Sequence, residues 1–338
     1  MSRALIAALS SLLVLAPPGS APAQERAEKR LQPLHVSYAS VTGSRAPLWI
    51  AKEAGLFEKH GLDVRLVVIP AGNTAISALV AGDVQIIAAP GSTSMVSAAR
   101  GLPVVIVGTF GPGVWKLVAH PSITTVKELR GKTIGISRAG TTIDFATRRA
   151  LAKLGFTPGK DVQLVSTGLA ESNKRILVML QGRMDATLAT PDNIHEIESR
   201  GLKVTVLADL RSLGIHTSTS DLSTTREFIK NQRSRARAFL MAFSEAIWLG
   251  KNQKEAALKV FRKYLKEDEP KRLEALYRNY IEDMIPARPY PMEEVVQMEI
   301  ENLSPAMPEL QGKRPADFVD ATILRELDNE GFFSRLYK

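Results

Sequence analysis

Cysteine is absent from all 338 residues. That removes any disulfide framework, any thiolate nucleophile and any Cys-ligated zinc or iron–sulfur centre. It also removes the side chain that would carry a lipid behind an export signal. Histidine is scarce. His35, His60, His120, His195 and His216 stand alone, none two or four residues from another, so structural or surface roles are expected for them. Catalytic motifs are missing too. "RGKTIG" (Arg130 to Gly135) contains Gly-Lys-Thr, but Val126 stands where a P-loop needs glycine. "FGPGVW" holds a lone Gly-x-Gly, and no serine sits in Gly-x-Ser-x-Gly. No acid, base and nucleophile constellation, metal site or cofactor site emerges.

Beyond the N-terminus no apolar run approaches the ~20 residues of a transmembrane helix. The N-terminus itself is informative. "MSRALIAALSSLLVLAPPGSAPAQE" has one basic residue, an apolar run from Ala4 to Ala16 and the small triplet Ala21-Pro22-Ala23. This reads as a secretory signal peptide spanning residues 1–23, so a soluble, periplasmic protein without a lipid anchor is expected. The net charge is +9, or +8 once Arg3 departs. Late basic stretches such as "RSRARAF" and "KVFRKYLK" interleave with Phe239, Phe243, Val260 and Phe261 at helical spacing. They read as solvated helix faces, and no nucleic-acid partner is expected. The excess charge suits attraction of anions or docking on an acidic partner.

Short apolar runs alternate with helical patterns along the chain. "LHVSY", "DVRLVVI", "VQIIAAP" and "VVIVGTF" read as strands. Between them lie helical stretches such as "TAISALVAG", with Ile76, Leu79 and Val80 on one face and Gly82 as the stop. The rhythm predicts mostly parallel sheets with helices on their faces, an α/β class. Gly61 to Pro90 and Gly159 to Pro191 share one plan: Gly-x-Asp-Val, a strand, a polar loop, an apolar helix ending in glycine, and a strand ending in proline. Duplication and coincidental similarity both account for this, and either predicts two α/β lobes. From Leu222 onward the pattern is helical and is expected to pack on the first lobe. The chain would cross between lobes near Trp115 to Pro121 and near Leu210 to His216. That places residues 24–118 and 214–338 in lobe 1 and residues 119–213 in lobe 2, with a hinged cleft between them.

Loops at the predicted strand ends are rich in Ser, Thr and Gly: "ASVTGSRAP", "APGSTSM", "GTFGPGVWK", "SRAGTTID" and "ATPDN". Ligands of open α/β sheets bind beyond the carboxyl ends of strands, where helix starts offer free N–H groups. Each loop can equally serve as an ordinary cap, and Thr141 to Asp144 matches a capping box. Trp115 reads as a cleft wall or as a hinge core residue.

"PLWIAKEAGLFEKHGLDV", "LVAGDVQIIAAP", "VKELRGKTIGIS" and "LQGRMDATLATP" resemble the NMT1/THI5-like solute-binding proteins of ABC transporters for nitrate, sulfonates and taurine. The resemblance covers nearly the whole mature chain. It implies a two-lobed, type II-like periplasmic binding protein fold with a helical C-terminal part. It implies delivery of a ligand to a membrane permease but does not fix the ligand; with the Ser/Thr-rich loops and the basic charge, a monomer that closes on a small, anionic organic ligand is expected. Matching loops gives Ser40, Thr42, Gly43, Gly91, Ser92, Trp115, Gly140, Thr141, Thr142 and Thr190 as ligand contacts. Arg45 and Arg138 either reach the cleft as cations or sit on a solvated rim. Enzymes making the thiamine pyrimidine resemble this group but have a cysteine-rich iron-binding stretch, absent here. A secreted enzyme on the same fold, or a receptor serving a sensor protein, are the alternatives.

Overall fold

Leu34, Val36 and Tyr38 alternate along β1 (Gln32–Tyr38), and all three are buried together with Ser37 between them. Burial on both faces marks an interior strand of a sheet covered by helices. The structure is a computed structural model that describes residues 30–338 except Gly140, Ala170, His216 and Ala306. The side chains of Thr142, Thr217, Ser218 and Thr219 are also outside the description, as are the expected signal segment 1–23 and the proposed contact Gly140.

After β1 come β2 (Leu62–Val68), β3 (Ile86–Pro90) and β4 (Val104–Gly113). The next five strands are β5 (Lys116–Ala119), β6 (Thr133–Ile136), β7 (Gln163–Ser166), β8 (Ala186–Ala189) and β9 (Thr205–Asp209). A last strand, β10 (Thr217–Thr225), returns to the first sheet. The two sheets run β2-β1-β3-β10-β4 and β7-β6-β8-β5-β9. Each contains a single antiparallel member, and it is the strand laid down just after a crossing: β5 in the second sheet, β10 in the first. The two halves are thus built alike. The segments Gly61–Pro90 and Gly159–Pro191 occupy equivalent places, as β2–helix–β3 and β7–helix–β8.

The crossings fall within the stretches expected for them, Trp115 to Pro121 and Leu210 to His216, a few residues from the lobe limits drawn there. Residues 116–118 pair with β8 and β9, so the chain enters the second sheet at Lys116 rather than at 119. On the return, Ile215 still packs in the second core, so lobe 1 resumes after it rather than at 214.

The helices follow the patterning with few departures. They are α1 (Ala46–Glu53), α2 (Leu56–Lys59), α3 (Gly72–Ala81), α4 (Gly91–Ala99), α5 (Thr142–Lys153), α6 (Ser172–Leu180), α7 (Pro191–Ser199), α8 (Arg226–Asn231) and α9 (Arg233–Asn252). In α3, Ala75, Ile76 and Leu79 face the core, and Gly82 ends the helix with φ of 83°. Val80 was expected on that face and is exposed instead, one residue (100°) past Leu79. The helical C-terminal part begins at Arg226, not Leu222. The Ser/Thr-rich β10 precedes it, and its buried Ser223 and Thr224 carry no apolar signal to betray a central strand.

The C-terminal helices pack on the first lobe. Phe239 stacks on Phe57 and Phe243, and these join Leu34, Val36, Leu48 and Trp49 in one core. Each such fully buried side chain contributes about 1.5–3 kcal/mol. The second lobe packs apolar residues on both faces of its sheet, with Leu117, Ile134 and Leu188 on one and Val118, Ile176 and Ile194 on the other. Among the described residues no helix is long and apolar enough to cross a membrane.

Candidate functional site

Beyond the carboxyl ends of β1, β3, β4 and β8 lies a cavity of about 430 Å³. The loop after β1 brings Ser40, Thr42, Ser44 and Arg45. Pro90, Ser92 and Thr93 come from the start of α4, Val114 and Trp115 from the first crossing, and Ser220 from β10. Ile143, Thr190 and Asp192 face them from the second lobe. Tyr280 and Met284 arrive from the C-terminal helical part, Tyr280 in a π-helical turn, Tyr277–Glu282. Local widening of this kind recurs at functional sites. Both lobes therefore line one space.

Arg45 is the one cation among the described residues that line it, and Asp192 the one carboxyl. The residue is 4% exposed, its Nη1 donates to Ser220 Oγ, and its guanidinium lies over the Phe110 ring, 4.9 Å from the centroid. Its Nε is buried without a hydrogen bond to any described residue. Burial lowers its pKa to about 10, against the pull of Tyr280, Asp221 and Tyr38, so it stays cationic at neutral pH. Hydroxyls surround it: Thr42 Oγ1 and Ser44 Oγ are 2.7 Å apart. Helix α4 starts at the cavity with no side chain capping its first turn.

Tyr280 crosses between lobes. Its ring covers Gly43, where a Cβ would come within 2.2 Å of Tyr280 Cδ2, and its hydroxyl donates to Asp192 Oδ2. Burial raises the Asp192 carboxyl to about 6, while the Tyr280 hydroxyl and the Gly43 amide pull it the other way. Burial and the neighbouring Asp192 charge push Tyr280 well above the usual phenol range.

The residues singled out in the sequence divide as follows. Ser40, Thr42, Arg45, Ser92, Trp115 and Thr190 line the cavity. Gly43 is the seat of the Tyr280 ring, and Gly91 is buried as the first residue of α4. Arg138 is exposed and lines no part of the cavity, so of the two candidate cations it is Arg45 that lies there. Thr141 caps α5: its Oγ1 accepts from Asp144 N–H at 3.4 Å and donates to the Arg138 carbonyl at 2.7 Å. Thr142 opens α5, with its side chain outside the described residues. Thr190 also caps, accepting from Asn193 N–H at 3.5 Å, while lining the cavity. Trp115 combines both readings, packing on the second core and facing the cavity.

Sequence reasoning missed Tyr280, Met284, Ser220 and Asp192. Asp192 sits inside the quoted loop "ATPDN", from which only Thr190 was singled out. Tyr280 and Met284 had no local signal, being carried in by packing from a helical segment. Among the described residues, no group of three or more His, Asp or Glu side chains could hold a metal ion.

The family model described as NMT1/THI5 like matches residues 43–257, well over half of the chain. The chain belongs to the NMT1/THI5-like family. Its match to a Brucella abortus (strain 2308) protein named as a binding protein is 31% identical over 134 residues, covering 39% of this chain. The chain thus spans about two fifths of that relative's length, 41%. The fold is that of solved periplasmic binding proteins. The aliphatic sulphonate binding protein SsuA of Escherichia coli is 21% identical with a TM-score of 0.63, over 86% of this chain and 91% of its own. The nitrate-binding protein NrtA of Synechocystis PCC 6803 is 15% identical with a TM-score of 0.66, over 89% of each chain. In this NMT1/THI5-like chain, as in that fold, two lobes of one topology flank the cavity.

Proposed function

We propose that this protein is the receptor of an ABC importer, exported to the periplasm, which closes on a small organic anion and delivers it to a membrane permease. One observation carries the reading: Arg45, buried at the wall of an interlobe cavity, keeps its charge and leaves Nε without a partner among the described residues. Asp221 nearby offsets part of the cost of burying this cation, and a ligand's acidic group entering the cavity would pair with the part of the guanidinium left over. The neighbouring hydroxyls of Ser40, Thr42, Ser92 and Ser220 and the uncapped start of α4 add neutral donors for the same group. Val114, Trp115, Ile143 and Met284 offer an apolar wall for an organic portion. The family and the sulfonate- and nitrate-binding structures support transport rather than turnover.

Thermal-shift screening against sulfonates, carboxylates and pyrimidines tests this directly. A ligand bound to the native state raises the melting temperature by mass action. At least one acid should stabilise the protein without being consumed. Turnover of a stabilising compound, or stabilisation by neutral compounds alone, would count against the reading.

A further inference from the structure

Asp192 belongs to the second lobe, in the first turn of α7, yet the groups that answer its carboxylate come from the first. Its Oδ2 accepts from Tyr280, and the Gly43 amide is the other donor that favours its charge. Its Oδ1 is buried and makes no hydrogen bond to any described residue. Among the described residues no cation pairs with it. Arg45 is turned to Ser220 and the Phe110 face and has Asp221 of β10 nearby. From α6, Arg175 donates to Thr187 Oγ1 and to the Leu169 and Leu188 carbonyls, while Lys174 pairs with Glu171. On α7 itself, Glu196 bonds Asn173 and Arg200, and His195 lies 3.9 Å from Glu198.

A carboxylate enclosed with so few donors is costly as an anion and much cheaper as a neutral acid. When the lobes part, Asp192 leaves Tyr280 and Gly43 and meets water, where the anion is comfortable. We propose that closing the cleft draws a proton onto Asp192, so that the Asp192–Tyr280 contact is an interlobe latch strengthened by acid. This rests on the receptor reading only in taking the lobes to open and close. Burial, which raises the carboxyl to about 6 from 3.8, supports it independently of any ligand. With those values the closed-to-open ratio rises roughly tenfold from pH 7.5 to pH 5.

The chain's lack of cysteine makes the test clean. Spin labels on Arg65→Cys in β2 and Gln163→Cys in β7, both exposed positions, report the separation of the lobes by pulsed electron resonance without added ligand. The short-distance population should grow about tenfold relative to the long one between pH 7.5 and pH 5. Asp192→Asn, a neutral mimic, should hold one distribution at both pH values. Tyr280→Phe removes a donor that favours the anion, so it should move the transition to higher pH. A distribution insensitive to pH in the parent protein, or an undiminished pH response in Asp192→Asn, would overturn the latch. Either result leaves the receptor reading standing, since that is decided by the acid screen.

Discussion

Replacing Gly43 by alanine tests how the site is assembled. The added Cβ would lie 2.2 Å from Tyr280 Cδ2 and 2.5 Å from Cε2. Ordinary carbon contacts need about 3.5–4.0 Å, so the ring must retreat by more than about 1 Å. Tyr280 is 5% exposed and has little room to retreat. Overpacking of this kind costs about 1–3 kcal/mol, and loss of the Asp192 hydrogen bond adds roughly 1 kcal/mol. Urea denaturation of Gly43→Ala, Tyr280→Ala, the double variant and the parent would separate the causes. Once the ring is gone the new methyl has space, so Gly43→Ala should cost little in the Tyr280→Ala background. The expected coupling is the whole of that cost, about 2–4 kcal/mol. A Gly43→Ala cost that is the same in both backgrounds would refute the packing argument. Gly43 would then have to act through something other than the ring it carries.

Three further outcomes follow from the same geometry. Trp115→Phe should abolish the change in tryptophan emission on ligand binding, because Trp115 lines the cavity whereas Trp49 is fully buried in the first core. Thr141→Ala should cost about 1 kcal/mol of stability by calorimetry and leave affinity within twofold, since its hydroxyl serves the start of α5. Asp192 titrates at about 6 in the fold against 3.8 when free, so its contribution to stability is full below pH 3.8 and lost as pH rises through 6. The loss amounts to about 3 kcal/mol. Asp192→Asn should therefore raise the urea midpoint at pH 7.5 and change it much less at pH 4.5.

The two-lobed plan was legible because β1, β2, β3 and β4 each carry an apolar run, and because Gly61–Pro90 and Gly159–Pro191 spell out one unit twice. β10 was not legible. Its burial depends on neighbours 130 or so residues away, and Ser, Thr and Asp satisfy themselves there by hydrogen bonds such as Ser94 to Ser223. The cavity was half legible. Loops at strand ends announce themselves through Ser, Thr and Gly, and Ser40, Thr42, Arg45, Ser92 and Thr190 were found that way. The same composition serves helix capping, which is where Thr141 went. Tyr280 and Met284 belong to the site only because the C-terminal helices fold back on the first lobe, a long-range contact that no local spacing encodes.

In the proposed receptor, Arg45 receives the ligand's acidic group. Isothermal calorimetry with the acid that most stabilises the protein, on the parent and on Arg45→Met, measures this most directly, with Arg45→Lys as a folded, charged control. A hydrogen bond to a charged group is worth about 1.5–3 kcal/mol, so Arg45→Met should weaken binding roughly 10- to 150-fold. Arg45→Lys should fall between. Unchanged affinity in a folded Arg45→Met variant would contradict the account and place the anion elsewhere.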